Sequence, residues 1–121
     1  MLQPSVFRLA FLGAALSLSL FPQTAATLSG TVRDATGGLV QNARVSVKEL
    51  ATGLVRQTVS GRDGAYIIPA LRAGQFELRA SAPGFRTLLR KGIELTVNES
   101  AKRDIELAVG AVDQEITVTA A

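Results

Sequence analysis

The sequence contains no cysteine, no histidine and no tryptophan, and its aromatics amount to five Phe and one Tyr. Each absence removes a chemistry. Without His or Cys there is no Ser-His-Asp or Cys-His nucleophile, no Cys/His zinc site, and no haem or iron–sulfur ligation through those side chains. A disulfide framework is excluded too, so a small domain built from this chain must be held by its core and its strand pairing. Strong charge of one sign is also missing: 13 Lys and Arg stand against 10 Asp and Glu, a formal +3 over 121 residues. That near-balance is not the electrostatic footprint of a dedicated nucleic-acid binder.

The longest apolar run lies near the N-terminus. Residues 9–21 read LAFLGAALSLSLF behind Arg8, Pro22 closes the run, and Thr24, Ala25 and Ala26 supply small residues beyond it. This is the tripartite pattern of a secretory signal helix, with cleavage expected after Ala26. A helix of about 13 apolar residues spans only ~20 Å, short of the ~30 Å hydrocarbon core, which argues against a membrane anchor. Loss of Arg8 with the leader takes the formal charge from +3 to +2. The absence of Cys beside the expected cleavage point excludes lipid anchoring through a cysteine.

From residue 27 onward the dominant period is two. Leu28, Gly30 and Val32 alternate with Ser29, Thr31 and Arg33; Ala43, Val45 and Val47 alternate with Arg44, Ser46 and Lys48. Both patterns predict half-buried strands. Residues 34–38 (DATGG) and 51–53 (ATG) carry turn chemistry, and Asp63-Gly64 is a strong hairpin signal. The third strand, residues 54–60, is ambiguous, because Val55 and Val59 suggest one inward face and Leu54 the other. Tyr66 and Ile68 lead into Pro69, which predicts a short or edge strand. Phe76, Leu78 and Ala80 form a fifth strand, residues 87–95 a sixth, and Ile105 and Leu107 a seventh starting near Lys102. Val97 is grouped on one face with Ile93 and Leu95, and Ile116 and Val118 alternate near the C-terminus.

No window past the leader has helical periodicity. The expected fold is therefore all-β, a seven-stranded antiparallel β-sandwich preceded by the signal-peptide helix. Its expected core is Leu28, Val32, Val45, Val47, Tyr66, Ile68, Phe76, Leu78, Ile93, Leu95, Ile105 and Leu107. The domain boundaries read as 1–26 leader, 27–110 sandwich, and 111–121 C-terminal strand or linker.

Two blocks resemble a known family. LSGTVRDATGGLVQNARVSV (residues 28–47) and RDGAYIIPALRAGQFELRASAPGF (residues 62–85) look like the two signature blocks of the carboxypeptidase regulatory-like domain, in the family's order. The resemblance implies a transthyretin-like (prealbumin-like) sandwich. It implies no activity, because the shared positions are turns and core: Gly30 at a close approach of strands, Asp63-Gly64 at a hairpin, Pro83-Gly84 at a turn. The family recurs at the N-terminus of TonB-dependent outer-membrane transporters, and VDQEITVTAA (residues 112–121) looks like the strand that joins sandwich to plug there. Two expectations follow from that resemblance: a truncated or split transporter relative, or a free-standing exported sandwich.

Candidate sites are few, and each has a plain structural alternative. Arg72, Arg79, Arg86, Arg90 and Lys91 face one acid, Glu77, within residues 72–91; they read as a basic face for an anionic partner or as a solvated strand surface that discourages aggregation. Phe85 is the one aromatic past the leader that parity leaves free for a sugar ring. Asp104 and Glu106 are the closest carboxylate pair, ~7 Å apart if on one strand, with no pocket residues around them. Asp34 and Asp63 lack the clustered acidic loop that calcium requires. Lys48 and Asn98 raise an isopeptide crosslink, which the outward parity of Lys48 disfavours, and Asn98-Glu99-Ser100 fits a glycosylation sequon. The expectation is a non-enzymatic, exported interaction module with no catalytic, cofactor-binding or metal residues. Its expected partner is an envelope or outer-membrane protein, or a glycan, not nucleic acid. It has no membrane span once the leader is gone, and its expected location is periplasmic, outer-membrane-associated or extracellular. A carbohydrate-binding module of the same fold is the alternative.

Overall fold

The computed structural model describes residues 25–111 and 113–119. Nine strands follow one another in the chain: β1 (Ala26–Asp34), β2 (Arg44–Glu49), β3 (Val55–Val59), β4 (Ala65–Leu71), β5 (Gly74–Ser81), β6 (Thr87–Leu95), β7 (Ser100–Lys102), β8 (Ile105–Leu107) and β9 (Glu115–Thr119). They form two sheets. One has the order β4-β1-β7, with β8 also pairing β1; the other runs β3-β2-β5-β6-β9. The inward-facing alternates of both meet in one core.

Every residue of the expected core is buried, none more than 3% exposed. Val97 is the exception among the face assignments. It lies beyond the end of β6 and is 56% exposed, because the chain turns at Thr96 and leaves the sheet. Ala26, grouped above with the leader, is the first residue of β1; it pairs with Leu71 and is fully buried. The rest of the expected leader, apart from Ala25, lies outside the described residues. Among the described residues no helix is long and apolar enough to cross a membrane.

The count rises from seven to nine for two reasons. Residues 115–119 join the second sheet as β9, and the expected seventh strand is broken in two. The break falls at Arg103 and Asp104, and Gly30 is its counterpart on β1. A Cβ on Gly30 would sit 2.0 Å from the Arg103 carbonyl oxygen and 2.9 Å from the Tyr66 ring. No side chain fits there. Arg103 N–H donates to the Ser29 carbonyl (2.8 Å) and the Tyr66 hydroxyl donates to the Arg103 carbonyl. Thr31 N–H, facing the gap, donates to Asp104 Oδ1 at 3.0 Å. A side-chain carboxylate thus stands in for the missing ladder bond at this partly exposed donor.

The pairing also departs from the all-antiparallel expectation. β1 runs parallel to both β7 and β8, and β6 runs parallel to β9. Parallel neighbours need a crossover, not a hairpin. After β6 the chain turns through residues 96–99 and moves from the second sheet to the first, entering beside β1 in β1's own direction.

Candidate functional site

A cavity of about 420 Å³ is lined by Arg33, Asp34, Arg90, Asp104 and Glu106, so the pair Asp104 and Glu106 does stand at a pocket, contrary to the expectation. The other surfaces that a sandwich offers a partner are its sheet faces and edges. In the first sheet the β4 edge is blunted. The register with β1 slips between Ala26 and Leu28, which leaves an extra residue on β4 at Pro69-Ala70, with Ala70 at φ 61°. Pro69 has no N–H to offer a new strand. The Arg56 guanidinium, reaching across from β3, donates to the Pro69 and Ala70 carbonyls, both at 3.1 Å. The opposite edge of that sheet is two three-residue strands with the Arg103-Asp104 break between them.

The second sheet ends in β9 on one side and β3 on the other. β9 is tied down by an ion pair from Arg79 to Glu115 at 2.7 Å. β3 is open: among the described residues no strand lies beyond it. Its register with β2 pairs Arg44 with Val59 and Lys48 with Val55. The bonds from Glu49 N–H to the Leu54 carbonyl and from Ser60 N–H to the Ala43 carbonyl fix which pairs are hydrogen-bonded. By the alternation of an antiparallel ladder, residues 54, 56, 58 and 60 turn their backbone groups toward β2. Val55, Gln57 and Val59 therefore present theirs to the outside. Their side chains lie on the outer face with Arg44, Ser46 and Lys48, and Val55 and Val59 are 57% and 51% exposed.

This settles the ambiguous third strand on the parity that Leu54 suggested and against that of Val55 and Val59. Arg56 and Thr58 take the inward side, opposite buried Val47 and Val45, while the valines and Leu54 stay in solvent. At the rim of the sandwich the inward position needs a side chain long enough to reach the other sheet, and Arg56 fills it with its stem and its guanidinium. Alternation alone could not decide this, since Val55 and Val59 argue for one side and Leu54 for the other. The remaining signal was compositional: a valine pair beside an unexplained Arg.

The basic residues of 72–91 do not form one face. Arg79 points outward to Glu115. Arg90 pairs across from buried Leu78, on the inner side, and donates to the Asp104 carbonyl at 3.2 Å. Arg72 stands in the turn between β4 and β5, Arg86 lies against Gly110, and Lys91 sits at the bulge before Gly92. Phe85 is half-buried, packs on the core and bridges to Val109. Tyr66 and Phe76 are buried, so the described residues offer no aromatic platform. Burial pushes the Tyr66 phenol well above the ordinary tyrosine range, against an opposing pull from Arg90.

The carboxylates are engaged in turns. Asp34 Oδ1 accepts from Thr36 N–H, Thr36 Oγ1 and Gly38 N–H, which holds its carboxyl below the usual range. Asp63 Oδ1 accepts from Ala65 N–H. Asp104 is part of the β1 gap, and Glu106 is exposed on β8. Among the described residues no three Asp or Glu gather as metal ligands would. Lys48 is exposed beside Val55 and Glu77, whereas Asn98 occupies the turn after β6 at φ 60°.

The residues that shape this scaffold are those of the two signature blocks: Gly30 against Tyr66, and Asp63-Gly64 at the hairpin that leads into β4. The family model for the carboxypeptidase regulatory-like domain matches residues 27–108. The chain belongs to that family. The match covers β1 through β8; β9 lies beyond it. No curated protein matches the chain. Among solved structures, the carboxypeptidase regulatory-like domain is similar to hydroxyquinol 1,2-dioxygenase from Pseudomonas putida DLL-E4, with a TM-score of 0.58 and 14% identity over 76% of this chain and 59% of that one. It is similar as well to the dioxygenase domain of a dioxygenase carbohydrate-binding protein fusion from Streptomyces sp. SirexAA-E (TM-score 0.55, 13% identity, 74% of this chain and 82% of that one). A third is the Bacillus anthracis TIE protein, with a TM-score of 0.58 and 17% identity over 71% of this chain and 17% of that one. At these identities the likeness is one of fold.

Proposed function

We propose that this carboxypeptidase regulatory-like domain is an exported, non-enzymatic interaction module that binds protein partners by strand addition at the β3 edge. The observation that carries the proposal is the row of outward backbone groups at Val55, Gln57 and Val59 beside two exposed valines. An extended segment laid along such an edge gains main-chain hydrogen bonds, and the alternating side chains supply selectivity. The edges of the first sheet are short or blunted by proline, and of the two ends of the second sheet β3 carries the two more exposed valines, so β3 is the favoured one. Export is supported by the apolar run of residues 9–21, and a role at the envelope by the resemblance to the N-terminal modules of TonB-dependent transporters. A non-enzymatic role is supported by the lack of His and Cys and by the lone Tyr, whose hydroxyl is engaged by the Arg103 carbonyl.

The test is capture from outer-membrane extract with the tagged protein and with Gln57→Pro, which deletes one outward N–H. The expected result is a discrete protein partner recovered by the first and lost by the second, with the protein itself found in the exported fraction. Equal capture by both, or recovery of glycan alone, overturns the reading.

A further inference from the structure

The β3 edge has a second property beyond being open. Read outward from Gln57, its sequence is palindromic in chemistry: valine at 55, glutamine at 57, valine at 59. These are the residues whose backbone groups face away from β2. We propose that the partner of this edge is a second copy of the chain, joined antiparallel through β3 about a two-fold axis at Gln57. The proposal rests on the β3 edge being the binding surface and specifies what occupies it.

Three features support the pairing. First, a two-fold at Gln57 sets Val55 of one copy opposite Val59 of the other and Gln57 opposite itself. All three are hydrogen-bonded pairs, since the outward backbone groups meet outward backbone groups. On the outer face the joined strands show Val–Val, Gln–Gln and Val–Val pairs, with apolar β-branched contacts flanking an amide pair. A shift by one residue would put Arg56 and Thr58 against the outward set, where neither their backbone direction nor their face matches.

Second, no like charges are brought face to face. Arg56 falls opposite Thr58 of the other copy, and each guanidinium is drawn away to its own Pro69 and Ala70 carbonyls. Arg44 and Lys48 on β2 lie three strand spacings from their copies, about 14 Å at the usual sheet spacing, beyond the ~8 Å screening length. Third, the join turns two five-stranded sheets into one continuous sheet and removes the β3 edge from both copies. The contact is only five residues long, so association is weak, with a Kd on the order of 100 μM.

A chain without native cysteine allows a clean test. Single-cysteine variants Gln57→Cys, Val55→Cys, Val59→Cys and, on the central strand β5, Gln75→Cys are oxidised at about 100 μM protein. Gln57→Cys is expected to form disulfide-linked dimer about tenfold faster than Gln75→Cys, because pairing raises the local thiol concentration. Val55→Cys mixed with Val59→Cys should crosslink as a heterodimer faster than either does alone, which reports the register. Crosslinking of Gln57→Cys no faster than Gln75→Cys overturns the proposal. So does self-crosslinking of Val55→Cys that matches the mixture. If those outcomes coincide with loss of a captured protein partner in Gln57→Pro, the dimer falls while the edge stands as a surface for a different protein. If capture is unaffected as well, both readings fall.

Discussion

Gly30 shows how much one missing side chain can decide. Its α-carbon faces the Arg103 carbonyl, and an added methyl would lie 2.0 Å from that oxygen, with the Tyr66 ring closing the other side at 2.9 Å. Neither neighbour can yield: one is backbone, the other a buried ring whose hydroxyl is bonded to the same carbonyl. Gly30→Ala is therefore expected to cost about 3 kcal/mol or more, an overpacking penalty that removes much of the stability of a small domain. Urea denaturation followed by far-UV circular dichroism measures it. A loss under about 0.5 kcal/mol would mean that the Arg103 strand break is not held against β1.

At the level of elements, the two sides of β3 are chemically different although the strand is only Val55–Val59. Thr58 turns its N–H into the β2 ladder, and Gln57 turns its N–H to solvent. Proline at 58 should break a ladder bond and unseat the strand, at a cost of about 2 kcal/mol or more, whereas proline at 57 should cost about 1 kcal/mol or less. Thermal unfolding of the two variants compares them directly, and equal losses would contradict the assigned register. The same contrast shows why the sequence left this strand undecided. Val55 and Val59 have the composition of an inward face, but an edge position lets them stay out while Arg56 bridges to the first sheet.

For the whole molecule, the balance of charge fixes the response to acid. With no histidine, only the α-amino group has an ordinary pKa near neutrality, so stability should be flat from about pH 5 to about pH 8. Asp34 and Glu99 are both held below their ordinary values by hydrogen bonds within their turns: Thr36 and Gly38 for the first, Thr96 N–H and Oγ1 for the second. A depressed carboxyl binds fewer protons folded than unfolded. Its contribution is complete above the unfolded values, about 3.9 for Asp and 4.3 for Glu, and is lost as pH falls through the folded ones. Denaturant midpoints measured from pH 6 down to pH 2 should fall below about pH 4.5 and do so less steeply in Asp34→Asn/Glu99→Gln. An unchanged acid slope in that double variant would show that the two turns do not drive it.

The sequence by itself determined what depends on near neighbours. Alternation assigned the buried face of most strands, Asp and Gly positions assigned the turns, and two local blocks were sufficient to recognise the family. These properties are readable because each is settled within a few residues. The tertiary structure decided what depends on residues far apart in the chain. It divided the seventh strand, since Thr31 and Asp104 meet only when β1 lies beside β8. It scattered the cations of residues 72–91 over both sides of a sheet and its loops, because a bulge and two turns intervene. Among the described residues it also left β3 with β2 as its one neighbour. An edge is the absence of a partner strand, and no residue of β3 encodes that absence locally; it follows from the order in which all nine strands pair.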